Sequence, residues 1–469
     1  MSTDNTETIG AVVWDELFLT LAGHAYVDLK PFVQHIKIYE NIGQHCLFVE
    51  LGIKDSANII GNLNLDGTNT VTLKVRSPFL NDDGAYHKTF SVFSISDRLV
   101  EDDRNQYFVL NLISLEGMKD LSTRFSKRFT GSTEAVAAQV FNDTIAEPRY
   151  RDTDGGFSGQ TSLTILGTPH KTNNFSFNAN NWSAFETMDF ISKNSEPGDY
   201  NGKSIMPNGL FFETRSGFIM GSFMELILQY KERNILYDEY SYVPVGDISF
   251  MDDTERTTSG SYSYSSPFIS QKYCTASRVD MKDYFNELNN QISGYYGSTT
   301  IGIDMINRLN YQMVFDYTDN LAGNFRGKIN KSYNDFAHLA DERPTSTKPL
   351  FSPAAVTTVK IASSNLYEDS DFGYDINHFE RLTYRNTAVA EIKRLSIKIE
   401  VPGKTDIEVG KLIKFNYPSV GDKAAGMSRS EIFDPKISGI YAIAGIVHNI
   451  TQEKHTMTLE IVRDSFGEE

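Results

Sequence analysis

The sequence predicts a β-rich α+β fold of several domains: two antiparallel β-barrel-like modules, one towards each end, a small α+β domain and an inserted mixed domain. Three observations predict it. Short runs of period-two hydrophobicity crowd both ends of the chain. Helical spacing dominates only an internal stretch after Leu115. The chain has 469 residues, too long for one core, and chains of this length divide into about three domains.

The first strands alternate at Ile36 and Ile38, and again at Leu47, Val49, Leu51 and Ile53. Leu63 and Leu65 continue the pattern, followed by Val71, Leu73 and Val75. Asp55 to Ile60 reads as a short helical turn within this run. Asp-Gly and Ser-Pro turns punctuate it, as expected of an antiparallel barrel or sandwich. Gly67–Leu73 leads through a loop to Phe90–Ile95, a charged turn over Val100–Asn105, and Tyr107–Ile113.

After Leu115 the period changes. Ala135, Val136, Val140, Phe141 and Ile145 recur at helical spacing. Ser183-Ala184-Phe185-Glu186 predicts a capping box, in which the Ser hydroxyl and the Glu carboxylate each satisfy a backbone donor of the other residue. Phe185, Met188, Phe190 and Ile191 continue that helix. Ser162–Ile165 and Phe175–Phe177 read as strands, and Gly209–Met220 as a hairpin.

The strand pattern then returns. Gly410–Phe415 leads through a loop to Tyr441–Val447, a polar turn over Thr451–His455, and Met457–Val462. Strands within Leu226–Tyr242 would make this second module discontinuous. Asp252–Ser266, rich in Ser, Thr, Gly and Tyr, reads as a loop or linker. Asp280–Leu288 and Ile301–Leu309 read as helical, Lys328–Pro353 as polar and basic, and Phe379–Glu391 as a helix entering the strand Leu395–Val401. The expected boundaries are 1–115 for the first module and 116–225 for the α+β domain. The second module takes 226–251 with 377–469, and the insertion takes 252–376.

The net charge is −17 and the pI about 5.0. A chain this acidic is a poor candidate for wrapping nucleic acid, which requires a basic footprint. It is compatible with a passage whose walls repel DNA. Aromatic residues make up 12% of the chain, with only two tryptophans, a composition suited to pleated, half-buried surfaces. Cys46 and Cys274 are too few for a disulfide framework and read as buried free thiols. The N-terminal residues lack the basic and apolar regions of a secretory signal. No apolar run has the length of a membrane span, so folding in a cytoplasm is expected.

Catalytic signatures are sparse. Asp152–Gly156 and Asp369–Gly373 have the flavour of calcium loops, yet the second places Tyr374 where the loop glycine belongs. Both read as polar turns. His448 and His455 flank a turn and could face each other across a hairpin, giving at most two ligands where a transition-metal site needs a third. Phosphate loops, nucleophile elbows and dinucleotide fingerprints do not occur. No catalytic residue, metal site or cofactor is therefore expected. Two carboxylates across a cleft would suffice for a glycosidase, which keeps a hydrolytic tail component as the alternative.

The layout resembles the baseplate hub proteins at the centre of contractile phage tails. The resemblance lies in three stretches. These are Ile36–Leu73 with Leu63-Asn64-Leu65-Asp66-Gly67, the hairpin GLFFETRSGFIMGS over Gly209–Ser222, and Val401–Phe466. It covers about two-thirds of the chain and is weakest over Asp252–Tyr374. It implies two tube-like barrels per chain and a homotrimer whose six barrels form a pseudo-sixfold collar. Such a collar is a non-enzymatic virion component, assembled in the host cytoplasm. It adapts the sixfold tail tube, through tube or tube-initiator proteins, to a threefold central spike. Other baseplate proteins would surround it, and the genome would pass without specific binding or membrane insertion. Another β-rich tube or adsorption protein is the remaining alternative. The strands Phe90–Ile95 and Tyr441–Val447 are candidates for pairing between subunits. Their interface residues would be Phe90, Val92, Ile95, Tyr441, Ile443 and Val447.

Overall fold

A computed structural model describes residues 10–21, 26–63, 65, 67–78, 80, 82–100, 105–146, 161–167, 175–195, 199–200, 203–205, 209–232, 238–242, 274–283, 297–305, 308–316, 325–326, 357–361, 384–385, 389, 395–420 and 433–463. The first module contains β1 (Val13–Thr20), β2 (Tyr26–Asp28), β3 (Val33–Asn41), β4 (Phe48–Asp55), β5 (Thr70–Arg76), β6 (Tyr86–Val100) and β7 (Gln106–Ser114), with the short helix α1 (Ile59–Asn62) after β4. Hydrophobic alternation sets the strand faces: Ile36, Ile38, Val49, Leu51, Leu73 and Leu110 point into one core. Asp55 starts α1, its carboxylate accepting from the backbone N–H groups of Ala57 (2.9 Å) and Ile59 (2.7 Å). Leu63 and Leu65 pack against the core but form no strand there.

The α+β domain follows with helix α2 (Leu115–Ser122), strand β8 (Phe125–Gly131), helix α3 (Thr133–Val140), β9 (Leu163–Ile165), β10 (Phe175–Trp182) and helix α4 (Ala184–Asn194). The capping box at Ser183 is formed in both directions. Asp120 reinforces it, accepting from the Ser183 hydroxyl at 2.8 Å and from Phe185 N at 2.7 Å. Two short strands, β11 (Asp199–Tyr200) and β12 (Lys203–Ile205), precede the hairpin β13 (Gly209–Thr214) and β14 (Gly217–Ser222). Stacked phenylalanines, among them Phe211 and Phe218 with centroids 5.3 Å apart, fill the domain's core.

Leu226–Tyr242 is mostly not strand. Helix α5 (Phe223–Glu232) occupies its first half, its apolar residues at 3.6-period spacing, and only β15 (Asp238–Tyr242) is extended. Next come β16 (Thr275–Ala276) and β17 (Arg278–Asp283). The helical reading of Asp280–Leu288 thus gives way to a strand over its first four residues, because Val279 and Met281 alternate against β22 (Leu395–Pro402); its remainder lies outside the described residues. A second helical reading fails over Ile301–Leu309. β18 (Gly297–Asp304) and β19 (Leu309–Asp316) form a hairpin there, rich in β-branched residues, with β21 (Thr357–Ile361) alongside. β20 (Phe325–Arg326) pairs with β12. The chain closes with β22, β23 (Leu412–Asn416), β24 (Gly439–Thr451) and β25 (His455–Arg463). The readings at Asp152–Gly156, Asp252–Ser266, Lys328–Pro353 and Asp369–Gly373, and most of Phe379–Glu391, lie outside the described residues.

β16 and β17 fall inside the range expected for the insertion, yet they pair with β15 and β22 of the second module. Both modules belong to one 14-stranded sheet, and among the described residues neither closes into a barrel by strand pairing. A separate core lies beneath each module.

Candidate assembly interface

The two modules share one topology. In the first, the sheet order is β3-β4-β7-β6-β5; in the second it is β17-β22-β25-β24-β23. Every neighbouring pair in both sets is antiparallel. Chain order is also shared, with the β18–β21 segment inserted between the first and second strands of the later copy.

The correspondence extends to single residues. β7 and β25 both have nine residues. Their partner strands share a bulge: β6 between Val92 and Ser94, opposite Leu112 and Asn111, and β24 between Ile443 and Gly445, opposite Ile461 and Glu460; β6 alone has a second, between Ser96 and Leu99. Just before the shared bulge, one hydrogen bond is repeated. Val92 N donates to Asn69 O at 3.0 Å, and Ile443 N donates to Lys411 O at 2.9 Å. A left-handed glycine, Gly67 or Gly410, each with φ 86°, turns the chain into the third strand of each copy.

Beyond the bulge the copies part. On β24, Ile42 N donates to Ala444 O at 3.0 Å. β3 then takes over the edge that β23 leaves, pairing Gly445–Thr451 with Asn41–His35. This junction fuses the modules, and the cores exchange residues across it: Ile450 packs in the first core and Ile42 in the second. On β6, β5 covers the edge as far as Ser91, and no strand takes over Ser94–Val100 among the described residues. That half carries Ile95, Leu99 and Val100, which are 37%, 61% and 68% exposed, and Phe93 in the bulge before it is 47% exposed.

The candidate interface residues divide accordingly. Phe90 and Val92 are buried in the first core, and Tyr441 and Ile443 occupy the matching positions in the second. Val447 lies in the internal junction opposite Tyr39. Ile95 is on the uncovered half of β6. Sequence reasoning did not identify β3 as the strand that fills the junction, because Ile36 and Ile38 carry only a core signal.

Buried charge locks the modules to the α+β domain. Glu213 accepts from Leu47 N at 2.9 Å and pairs with Lys88. Burial is the largest influence and opposes the Lys88 ammonium, but Glu213, Glu116 and Glu40 together outweigh it and hold its pKa above the ordinary value. Arg215 Nε meets Glu408 at 3.1 Å and its Nη1 donates to Ala85 O at 2.8 Å, tying all three units together. Glu40 is fully buried nearby. Burial, with Glu408 adding repulsion, pushes its carboxyl up to about 8. His448 and His455 do meet across the β24–β25 hairpin, Nδ1 to Nε2 at 3.1 Å. Burial lowers His448 to about 3 and His455 well below its ordinary range, so both rings are neutral and one donates to the other. Among the described residues, no cluster of three His, Cys, Asp or Glu side chains could hold a metal. Cys46 and Cys274 are half-buried and form no disulfide among the described residues, and burial pushes the Cys46 thiol up to about 12. No helix among the described residues is long and apolar enough to cross a membrane.

No family model and no curated protein sequence matches the chain. Solved structures similar to it over nearly its whole length include two tail proteins and a secretion-system component. One is a tail protein from Neisseria meningitidis MC58, 8% identical, with 97% of each chain covered and a TM-score of 0.49. Another is the 43 kDa tail protein of prophage MuSo2 from Shewanella oneidensis, 7% identical, covering 96% of this chain and 98% of that one, with a TM-score of 0.46. A third is an E. coli component of the type VI secretion system, described as structurally similar to T4 bacteriophage tail proteins. It is 7% identical, with 96% and 78% covered and a TM-score of 0.40.

Proposed function

We propose that this chain is a structural subunit of a phage tail hub, a trimeric symmetry adaptor between a sixfold tail tube and a threefold central spike. The observation that carries this reading is the five-strand module present twice, with one topology and one bulge, fused edge to edge inside a single chain. A threefold assembly of such chains offers six similar modules, which a sixfold partner requires and a single-module trimer lacks. The copies differ in sequence, so the sixfold symmetry of the collar is approximate, with two kinds of module alternating. In the ring each module completes a tube-like barrel wall. Tube or tube-initiator proteins meet one face and the spike meets the other.

The charge suits a conduit. Three chains at −17 each give a wall that repels a passing genome and prevents its adhesion. The reading assigns no catalytic residue.

Light scattering on the purified chain, with electron-microscopic class averages, tests the proposal. The expected result is a discrete ring-shaped trimer of three 52.8 kDa chains. A stable monomer or an open polymer overturns it. Incubation with peptidoglycan is expected to release nothing. Cleavage abolished by one carboxylate substitution would replace the structural reading with a hydrolytic one.

A further inference from the structure

We infer that the uncovered half of β6, Ser94–Val100, pairs antiparallel with β17, Arg278–Asp283, of a second copy of this chain. The inference deepens the adaptor reading by naming the strands that join its subunits, and it rests on that reading only for the ring of copies.

The internal junction is the template. There the post-bulge half of the second copy's fourth strand, β24, receives the first strand of the other module, β3. The equivalent half-strand on the first module is the outer half of β6. The equivalent first strand on the second module is β17, since β17 lies against β22 as β3 lies against β4. Each chain therefore uses one half-strand and one first strand internally. It leaves one of each with a strand on one side only, β7 or β22, and no strand on its other edge among the described residues. The two leftovers match in kind, and they sit on different modules. Each meets the other kind on a neighbouring copy, which allows a head-to-tail contact. Head-to-tail contacts make rings when the rotation closes, with the modules alternating around the ring.

The side chains agree with this assignment. Phe93, Ile95, Leu99 and Val100 place four exposed apolar residues on one open edge, which is an aggregation hazard unless a specific strand covers it. The β17 edge offers half-buried Val279 and Met281 alternating with exposed Arg278 and Asp280. Carrying the β24–β3 register across sets the Leu99–Val100 end of β6 opposite the Arg278–Asp280 end of β17. The bulge between Ser96 and Leu99 allows a shift of one residue in that pairing.

Disulfide trapping tests the contact on the full chain. Cysteines are placed at Leu99 or Val100 in combination with Val279 or Asp280, and mild oxidation is followed on non-reducing gels. Wild type, with its two native thiols, runs in parallel. A control combines Tyr26→Cys, on the far edge of the first module, with Val279→Cys. At least one β6–β17 combination is expected to give a covalent ladder ending at three chains, while wild type and the control give none. The double variant L99E/V100E, altered only at exposed positions, is expected to keep its circular dichroism and to fall from trimer to single-chain mass. If wild type is a trimer, yet no combination cross-links and L99E/V100E stays assembled, this interface is wrong and the ring reading stands. A wild type that remains monomeric at every concentration overturns both.

Discussion

The two copies of the module meet different fates beyond one bulge. In the later copy, the strand past Ala444 is covered by β3 and contributes Ile446 and Ile450 to buried cores. In the earlier copy, the strand past Phe93 lies open with its apolar side chains in water. Strand order, direction and bulge position agree up to that point. The difference therefore lies in which strand arrives next rather than in the module itself. A sheet edge is a property of the assembly, and one chain shows the same edge filled and unfilled.

The comparison is most severely broken where the units interlock. Glu213→Ala leaves Lys88 charged, almost fully enclosed and without its carboxylate partner, and also strips Leu47 N of its acceptor. An unpaired buried charge of this kind costs about 3–5 kcal/mol. Urea unfolding should show a loss of that order. The double variant Lys88→Met with Glu213→Leu should recover most of it, because removing both charges relieves the penalty that removing one creates.

Equal truncations in the two copies sharpen the comparison. Leu110 in β7 and Leu459 in β25 occupy the same position of their nine-residue strands and are both buried. Each Leu→Ala change should cost about 2–5 kcal/mol. If the copies are one structural unit, the two losses agree to within roughly 1 kcal/mol. Denaturant midpoints at a fixed m-value measure it. A loss at one site and none at the other would show that the shared topology does not extend to shared packing.

Glu40 sits beside the junction and ties it to pH. Its carboxyl is held at about 8 by burial first and by Glu408 second, against an ordinary value of 4.5. The folded state therefore binds this proton more tightly than the unfolded chain. Its contribution to stability is complete below pH 4.5 and is lost as pH rises through about 8. Stability should fall by about a few kcal/mol between those limits on account of this group. Glu40→Gln, which keeps the shape and removes the titration, should flatten the profile of thermal midpoint against pH over that window and leave its acid side unchanged.

Much of the fold was legible because local chemistry set it. Alternation placed the strands of both modules, and the serine and glutamate of the capping box marked the start of α4. The same alternation also revealed the duplication. Where local signals competed, the reading failed. Asp280–Leu288 has the residues of a helix, but Val279 and Met281 find an edge on β22 that only tertiary structure supplies. The internal junction was hidden for a related reason: Ile36 and Ile38 look the same whether their strand ends a sheet or joins two. Tyr441 and Ile443 were candidates for the interface as apolar strand residues, yet that character equally describes the core in which they lie. Exposure separated Ile95 from them, and exposure cannot be read from hydrophobicity alone.

The smallest effect gives the finest comparison. Gly67 and Gly410 turn their copies with the same φ of 86°, so alanine meets the same backbone strain at both, about 1 kcal/mol. Their surroundings differ. A Cβ at Gly67 finds nothing closer than Val92 O at 4.0 Å, whereas one at Gly410 lies 2.8 Å from Leu226 Cδ1 and 3.4 Å from Phe212 Cζ. Gly410→Ala must therefore also push α5 or its leucine aside, and overpacking of this kind adds about 1–3 kcal/mol. The expected order is a small loss for Gly67→Ala and a clearly larger one for Gly410→Ala, read from paired thermal melts. Equal losses would mean that backbone strain alone governs both turns and that α5 yields freely. A larger loss at Gly67 would mean that its side of the turn is enclosed in the native assembly, where a neighbouring chain crowds a position that is open in the single chain.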